Sequence, residues 1–184
     1  MMVANEQAAR PTPVVVVMGV SGSGKTTIGA LVADAKSVPF VDADDLHPID
    51  NVKKMAAGTP LDDEDRWPWL DIVGRRLQEA EESGEGVVMA CSALRRVYRD
   101  RIRATAPSTI FLHLHGSLEV LTARLEGRSG HFMPPALLSS QMETLEALTE
   151  DETGYVLDIG QSVEQMIDEA LPALQSIRDE MPRG

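Results

Sequence analysis

The chain has 184 residues, 43% of them hydrophobic and 25% charged, with a formal net charge of −12. That length fits one domain with a substantial core of its own, and the acidic balance argues against nucleic acid, whose phosphates demand a basic surface. The single cysteine, Cys91, excludes a disulfide framework within one chain and fits a reducing compartment, and no apolar run approaches the ~20 residues of a membrane span. A small anionic substrate stays compatible, because a pocket needs only a few local cations. The polar start, Met1 to Pro13, lacks the apolar stretch of a signal peptide; it is expected to be a disordered leader, with the cytoplasm as the default compartment.

Val14 to Met18 predict the first strand. It leads directly into Gly19-Val20-Ser21-Gly22-Ser23-Gly24-Lys25-Thr26, the pattern G-x-x-x-x-G-K-[ST] of a phosphate-binding loop. Its glycines let the backbone turn and aim N–H groups at a polyphosphate. Lys25 can reach the β- and γ-phosphates, and the Thr26 hydroxyl can take a place on Mg²⁺. A helix predicted from Thr26 to Lys36, with Ile28, Leu31, Val32 and Ala35 on one face, adds its positive N-terminal end. The stretch from Gly19 through Thr27 is thereby assigned to nucleotide binding.

Val38 to Val41 predict a second strand, followed by Asp42-Ala43-Asp44-Asp45-Leu46-His47-Pro48. In an open parallel sheet, ligands bind beyond the carboxyl ends of the strands, so these acids face the phosphate loop. Alternation puts Asp42 and Asp44 on a common side, unlike Asp45. One can hold Mg²⁺, another can accept a proton from the attacking hydroxyl, and one is expected to cap the next helix or solvate the turn. Helices are predicted from about Pro48 to Ala57, with Gly58 at C′, and from Pro68 to Ser83. The acidic cluster Asp62 to Asp65 between them reads as a solvated helix start or as part of the substrate side.

A third strand, Val87 to Cys91, ends without the aspartate that motors and GTPases place there, which moves the metal role to Asp42. No Asn-Lys-x-Asp guanine signature occurs. Ser92, Arg95, Arg96 and Arg99 stand where a second substrate can be gripped, guanidinium being suited to carboxylates, although each arginine also fits a surface helix. Cys91 reads as a packed hydrophobe. Thr109 to Leu114 predict the fourth strand, with His113 and His115 structural, and Leu118 to Arg124 a helix. Arg124 and Arg128, four apart across a glycine-containing break, suit a mobile lid over about 124–135 that closes positive charge on the transferring phosphate; His131 follows on the same side. Tyr155 to Ile159 predict the fifth strand. The stretch from Asp158 to Ser162 is a topological expectation for the adenine site. A final helix runs from Val163 to Ile177, kinked at Pro172. Strands alternating with helices specify an α/β doubly wound domain over 14–178, with a flexible tail over 179–184.

Taken together, these segments resemble the gluconokinases, P-loop kinases of the shikimate-kinase-like and nucleoside-monophosphate-kinase-like group. The resemblance spans Val14 to about Leu174. Its specific motifs are Asp42-Ala-Asp44-Asp-Leu-His47-Pro48, Cys91-Ser92-Ala93-Leu94 and Arg128-Ser-Gly130-His131-Phe132. It implies a three-layer α/β/α sandwich with a five-stranded parallel sheet and a helical lid. It also implies ATP- and Mg²⁺-dependent phosphorylation of D-gluconate at its 6-hydroxyl by a cytoplasmic enzyme, commonly dimeric. Carried over, Lys25 and Thr26 bind phosphates and metal, Asp44 is the base and Arg128 a lid arginine. His47, Arg66, Ser92 and Arg99 line the gluconate site. The competing readings are phosphorylation of shikimate or a nucleoside monophosphate, and a nucleotide-binding regulator without turnover.

Overall fold

Val14 to Met18 are at most 3% exposed because their strand is covered on both faces. The computed structural model describes residues 12–127 and 135–182. In chain order it contains β1 (Val14–Met18), α1 (Lys25–Lys36), β2 (Phe40–Asp42), α2 (Ile49–Ala56), α3 (Asp63–Ser83), β3 (Val87–Ala90), α4 (Arg96–Thr105), β4 (Ile110–His115), α5 (Leu118–Glu126), α6 (Pro135–Thr144), β5 (Gly154–Asp158) and α7 (Val163–Glu180). The strands form one parallel sheet in the order β2-β3-β1-β4-β5. On one face Val15, Val17 and Leu112 pack with Ile28 and Val32 of α1 and Met166 and Leu174 of α7. On the other, Val16, Met18 and Phe111 pack with Leu70, Val73 and Leu77 of α3 and Ile102 of α4. Each such fully buried aliphatic side chain contributes roughly 1.5–3 kcal/mol. This is the expected α/β/α sandwich, and it brings the carboxyl ends of β1, β2 and β3 to one edge.

Several boundaries differ from expectation, each for a physical reason. α3 begins at Asp63, well before Pro68. Asp62 caps it, its carboxylate accepting from the Asp65 N–H while the Asp65 carboxylate accepts from the Asp62 N–H. That reciprocal cap and an acidic first turn outweigh the N–H that Pro68 removes within the helix. The second strand ends on Asp42, so this acid belongs to the sheet itself. α7 is helical through Pro172 and on to Glu180, into the stretch expected as a tail. At the other end Thr12 and Pro13 are tied down: the Pro13 carbonyl accepts from Val87 N–H at 3.0 Å, and the Thr12 hydroxyl donates to the Gly84 carbonyl. α4 and α6 have no counterpart among the predicted helices.

Candidate active site

The phosphate loop is shaped by what its glycines avoid. Gly19 adopts φ +148°, and a Cβ there would lie 2.9 Å from the Leu114 carbonyl oxygen and 2.8 Å from Ser23 Oγ. Gly24, at φ +96°, forms the N-cap of α1 without a capping side chain, and no acidic residue stands in the first turn. The positive end of α1 is thus open to an anion. Lys25 Nζ donates to the Val20 carbonyl at 3.0 Å, folded over the loop, and Thr26 and Thr27 are exposed beside it. Arg124 reaches the same place from α5. Its Nη2 donates to the Ile159 carbonyl, at the end of β5, and its Nη1 stands 3.6 Å from where a Cβ on Gly24 would be. Arg128 and His131, the other expected lid residues, lie outside the described residues. One contact went unforeseen: the Ser21 N–H donates to Gln141 Oε1 at 2.8 Å, fastening α6 onto the loop.

Across the sheet edge, a 3-10 turn over Ala43–Leu46 carries the acids that follow β2. The Asp44 N–H donates to Asp42 Oδ1 at 3.0 Å, so Asp42 supplies the local cap and keeps its second oxygen. The Asp44 side chain is 84% exposed, on the phosphate-loop side of the turn. The protein around it, first, and the neighbouring Asp42 carboxylate, second, raise its pKa, while His47 and Lys25 pull it down. His47 is nearly buried, its ring stacked on Trp69 with centroids 4.3 Å apart. Burial lowers the His47 pKa, the Asp44 carboxylate raises it, and the Arg66 guanidinium lowers it again. Arg66 in turn donates to the Tyr98 hydroxyl at 3.2 Å. That hydroxyl donates to Asp63 Oδ1 at 2.6 Å, and Arg95 Nη1 reaches Asp63 Oδ2 at 2.9 Å. The Tyr98 bond, then Arg95, holds the Asp63 carboxyl below its usual range. Charged groups thus influence one another outwards from the phosphate loop: Lys25 acts on Asp44, Asp44 and Arg66 act on His47, and Arg66 shares Tyr98 and Asp63 with Arg95.

The three arginines after β3 separate clearly. Arg95 joins Arg66 on Asp63 and over the Tyr98 ring. Arg96 binds Asp100 and Asp151. Arg99, expected in the substrate site, is fully buried instead. Its Nε and Nη2 bind the Glu152 carboxylate at 2.7 and 3.0 Å, and Nη1 donates to the carbonyls of Ala93 and Leu94 at 3.0 and 3.2 Å. Those carbonyls belong to a strained turn: Ala93 holds φ +43°, a left-handed conformation that costs a non-glycine residue roughly 1–2 kcal/mol. Arg99 clamps that turn from within. Ser92 itself stays half-buried, and its carbonyl accepts from the Gly19 N–H at 3.3 Å, joining the Cys-Ser-Ala-Leu turn to the phosphate loop. Cys91 is buried, its thiol pushed up to about 12 by desolvation, which suits packing and not nucleophilic attack.

Tyr98 and Asn51 carry no role in the sequence reading, whereas Arg95 stands there among three undivided arginines and Asp63 inside the undivided acidic cluster Asp62 to Asp65. A spacing signal existed for some of them: Asp63 and Arg66, and Arg95 and Tyr98, are three apart on or at the start of helices, and His47 and Asn51 four apart.

The shikimate kinase family model matches residues 21–173. A thermosensitive gluconokinase from Escherichia coli (strain K12) is 44% identical over 164 residues, covering 89% of this chain and 88% of that protein. The chain belongs to the gluconokinase family. A gluconokinase from Gluconobacter oxydans (strain 621H) is 47% identical over 137 residues, 74% of this chain and 77% of that protein. A crystal structure of a gluconokinase from Sinorhizobium meliloti 1021 superposes with a TM-score of 0.83 at 46% identity, covering 92% of this chain and 95% of that one. Membership of the gluconokinase family makes the chain a P-loop kinase, a class that uses ATP, and sets aside the regulator without turnover. No helix among the described residues is long and apolar enough to cross a membrane.

Proposed function

We propose that this gluconokinase family member transfers the γ-phosphoryl group of ATP to the 6-hydroxyl of D-gluconate, giving 6-phosphogluconate. The observation that carries the reading is the series from Lys25 through Asp44 and His47 to Arg66 and Arg95. Gluconate is a linear molecule with a carboxylate at one end and a primary alcohol at the other. The cleft has cations at one end and, beside the phosphate loop, a carboxylate at the other. Seated with its carboxylate on Arg66 and Arg95, gluconate presents its 6-hydroxyl to Asp44.

The phosphate loop and α1 bind the ATP phosphates, Lys25 neutralises their charge, Arg124 and Arg128 are assigned to the same phosphates, and His131 to the acceptor. Asp44 accepts the hydroxyl proton. The surrounding protein and the Asp42 charge raise its pKa, which strengthens it as a base. In a loose phosphoryl transfer the main demand on the protein is alignment, which the shared edge of β1, β2 and β3 supplies. His47 and Ser92 line the acceptor between the two ends. The Thr26 hydroxyl and the second oxygen of Asp42 fit Mg²⁺, a hard cation that takes one or two protein oxygens and completes its shell with phosphates and water. When bound, it offsets charge on the phosphate oxygens. The same reading takes the enzyme to be a cytoplasmic homodimer, in keeping with the family resemblance.

The test is ADP release measured in parallel with gluconate, shikimate and nucleoside monophosphates as acceptors. Turnover with gluconate is expected; turnover confined to shikimate or a nucleotide would refute the reading. Shikimate and nucleotide acceptors need acceptor-site residues of their own, which the Asp-Leu-His-Pro segment of this chain does not supply.

A further inference from the structure

A neutral histidine carries its ring proton on one nitrogen or the other, and the surroundings of His47 decide which. Asn51 lies one helical turn further on, 4% exposed, with its Nδ2 2.9 Å from the backbone carbonyl of Asp65. A carbonyl oxygen only accepts, so the amide must turn its NH₂ group that way. The same NH₂ group lies 3.2 Å from His47 Nδ1. An amide nitrogen only donates, so Nδ1 must be the bare, accepting nitrogen. The proton of the neutral ring then sits on Nε2, the atom 4.0 Å from Asp44 Oδ1.

Each part of this arrangement is held from behind. The Trp69 ring lies within 15° of parallel to the imidazole, and its indole N–H is fastened to the Ala43 carbonyl at 2.8 Å. Asp65 belongs to the capped first turn of α3, and its carboxylate receives Lys54 Nζ at 2.8 and 2.9 Å. The carbonyl that orients Asn51 is thereby held in place. A ring turned over in its plane would keep its stacking on Trp69 but put Cδ2 where Nδ1 stands and lose the hydrogen bond from Asn51.

We propose that Asn51 is a positioning residue that locks His47 as the Nε2–H tautomer, making His47 a hydrogen-bond donor to the acceptor hydroxyl and leaving proton removal to Asp44. This rests on the acceptor side being where the proposed function puts it. Across 4.0 Å Nε2 and Oδ1 make no direct hydrogen bond, but one oxygen can lie about 2.8 Å from both. In the transfer, the hydroxyl O–H bond breaks and its proton passes to Asp44. The oxygen forms its bond to the γ-phosphorus as the bond to the bridging oxygen of ADP breaks. Throughout, the Nε2–H of His47 orients the attacking oxygen. With the opposite tautomer Nε2 would be bare, and His47 would compete with Asp44 for the same proton.

The tautomer is read directly by long-range ¹H–¹⁵N correlation spectra of the ¹⁵N-histidine-labelled full chain at pH 7.5, with no substrate present. A free neutral imidazole favours Nε2–H but exchanges with the other form, so the expected wild-type result is a single, unaveraged Nε2–H pattern for His47. Asn51→Asp, which replaces the donor with an acceptor, should move the proton to Nδ1. Asn51→Leu should restore averaging and lower kcat on the order of tenfold, part of the 10²–10⁴ a general base supplies, with KM for ATP unchanged. An Nδ1–H pattern in the wild type, or an unaveraged Nε2–H pattern surviving in both variants, overturns the proposal. Because the spectrum needs no acceptor, it can fail while gluconate turnover holds, or hold while gluconate is not the substrate.

Discussion

Arg99 and Asp44 are charged residues with opposite relations to water, one enclosed in the protein and the other exposed. Arg99 is wholly enclosed and paired with Glu152, so removing it leaves a buried carboxylate without a partner. Arg99→Leu should therefore lower unfolding free energy by about 3–5 kcal/mol, measured by urea denaturation, and Arg99→Lys should recover only part because lysine cannot form the two-pronged contact. If stability were unchanged while KM for gluconate rose, Arg99 would belong to the substrate site after all. Asp44 is exposed on the phosphate-loop side, and its replacement should affect the chemical step. Asp44→Asn is expected to lower kcat by roughly 10²–10⁴ with ATP affinity nearly unchanged, checked by steady-state kinetics and calorimetry. Unchanged turnover would remove Asp44 from the mechanism.

At the scale of elements, what was legible in the sequence is what local chemistry dictates. The phosphate loop announces itself within eight residues, and the continuous apolar runs of β1 and β3 follow from burial on both faces. The site's cation pair was only half legible, because Arg95 meets Arg66 through the packing of α4 on α3, which no local pattern encodes. The start of α3 was hidden for a different reason: Pro68 is a strong N1 signal, and the reciprocal cap of Asp62 and Asp65 sat inside a run of acids that equally suits a solvated turn. The structure resolves that run residue by residue, with Asp62 and Asp65 capping and Asp63 holding Tyr98 and Arg95. Asp62→Ala should cost about 1 kcal/mol of stability, seen as a lower denaturation midpoint. Asp63→Ala should instead act on the site, raising KM for gluconate by releasing Arg95 and Tyr98 while leaving KM for ATP alone. Equal effects of the two changes on KM would contradict this division.

For the molecule as a whole, one buried residue sets a pH dependence. His113 is 2% exposed on β4, both of its ring nitrogens lack hydrogen-bond partners, and burial first, then His115 and Arg99, lowers its pKa to about 4. The folded state thus resists a proton that the unfolded chain accepts near pH 6.5. Stability contributed by this residue is intact above pH 6.5 and falls as pH drops from 6.5 towards 4. At pH 5 the loss amounts to ~2 kcal/mol relative to pH 7.5. His113→Leu should flatten the decline between those two pH values in urea denaturation; an equally steep decline in the variant would assign it to other groups.

The account's central claim is that one cleft grips a sugar acid by its carboxylate at Arg66 and Arg95 and phosphorylates the alcohol at its far end beside Asp44. The most direct measurement is kcat/KM for gluconate against glucitol, which keeps the alcohols and lacks the carboxylate, in the wild type and in Arg66→Met. The wild type should favour gluconate strongly, and the variant should lose most of that preference, on the order of tenfold or more for a charge-assisted contact, with KM for ATP unchanged. A preference for gluconate that survives intact in Arg66→Met would contradict the account.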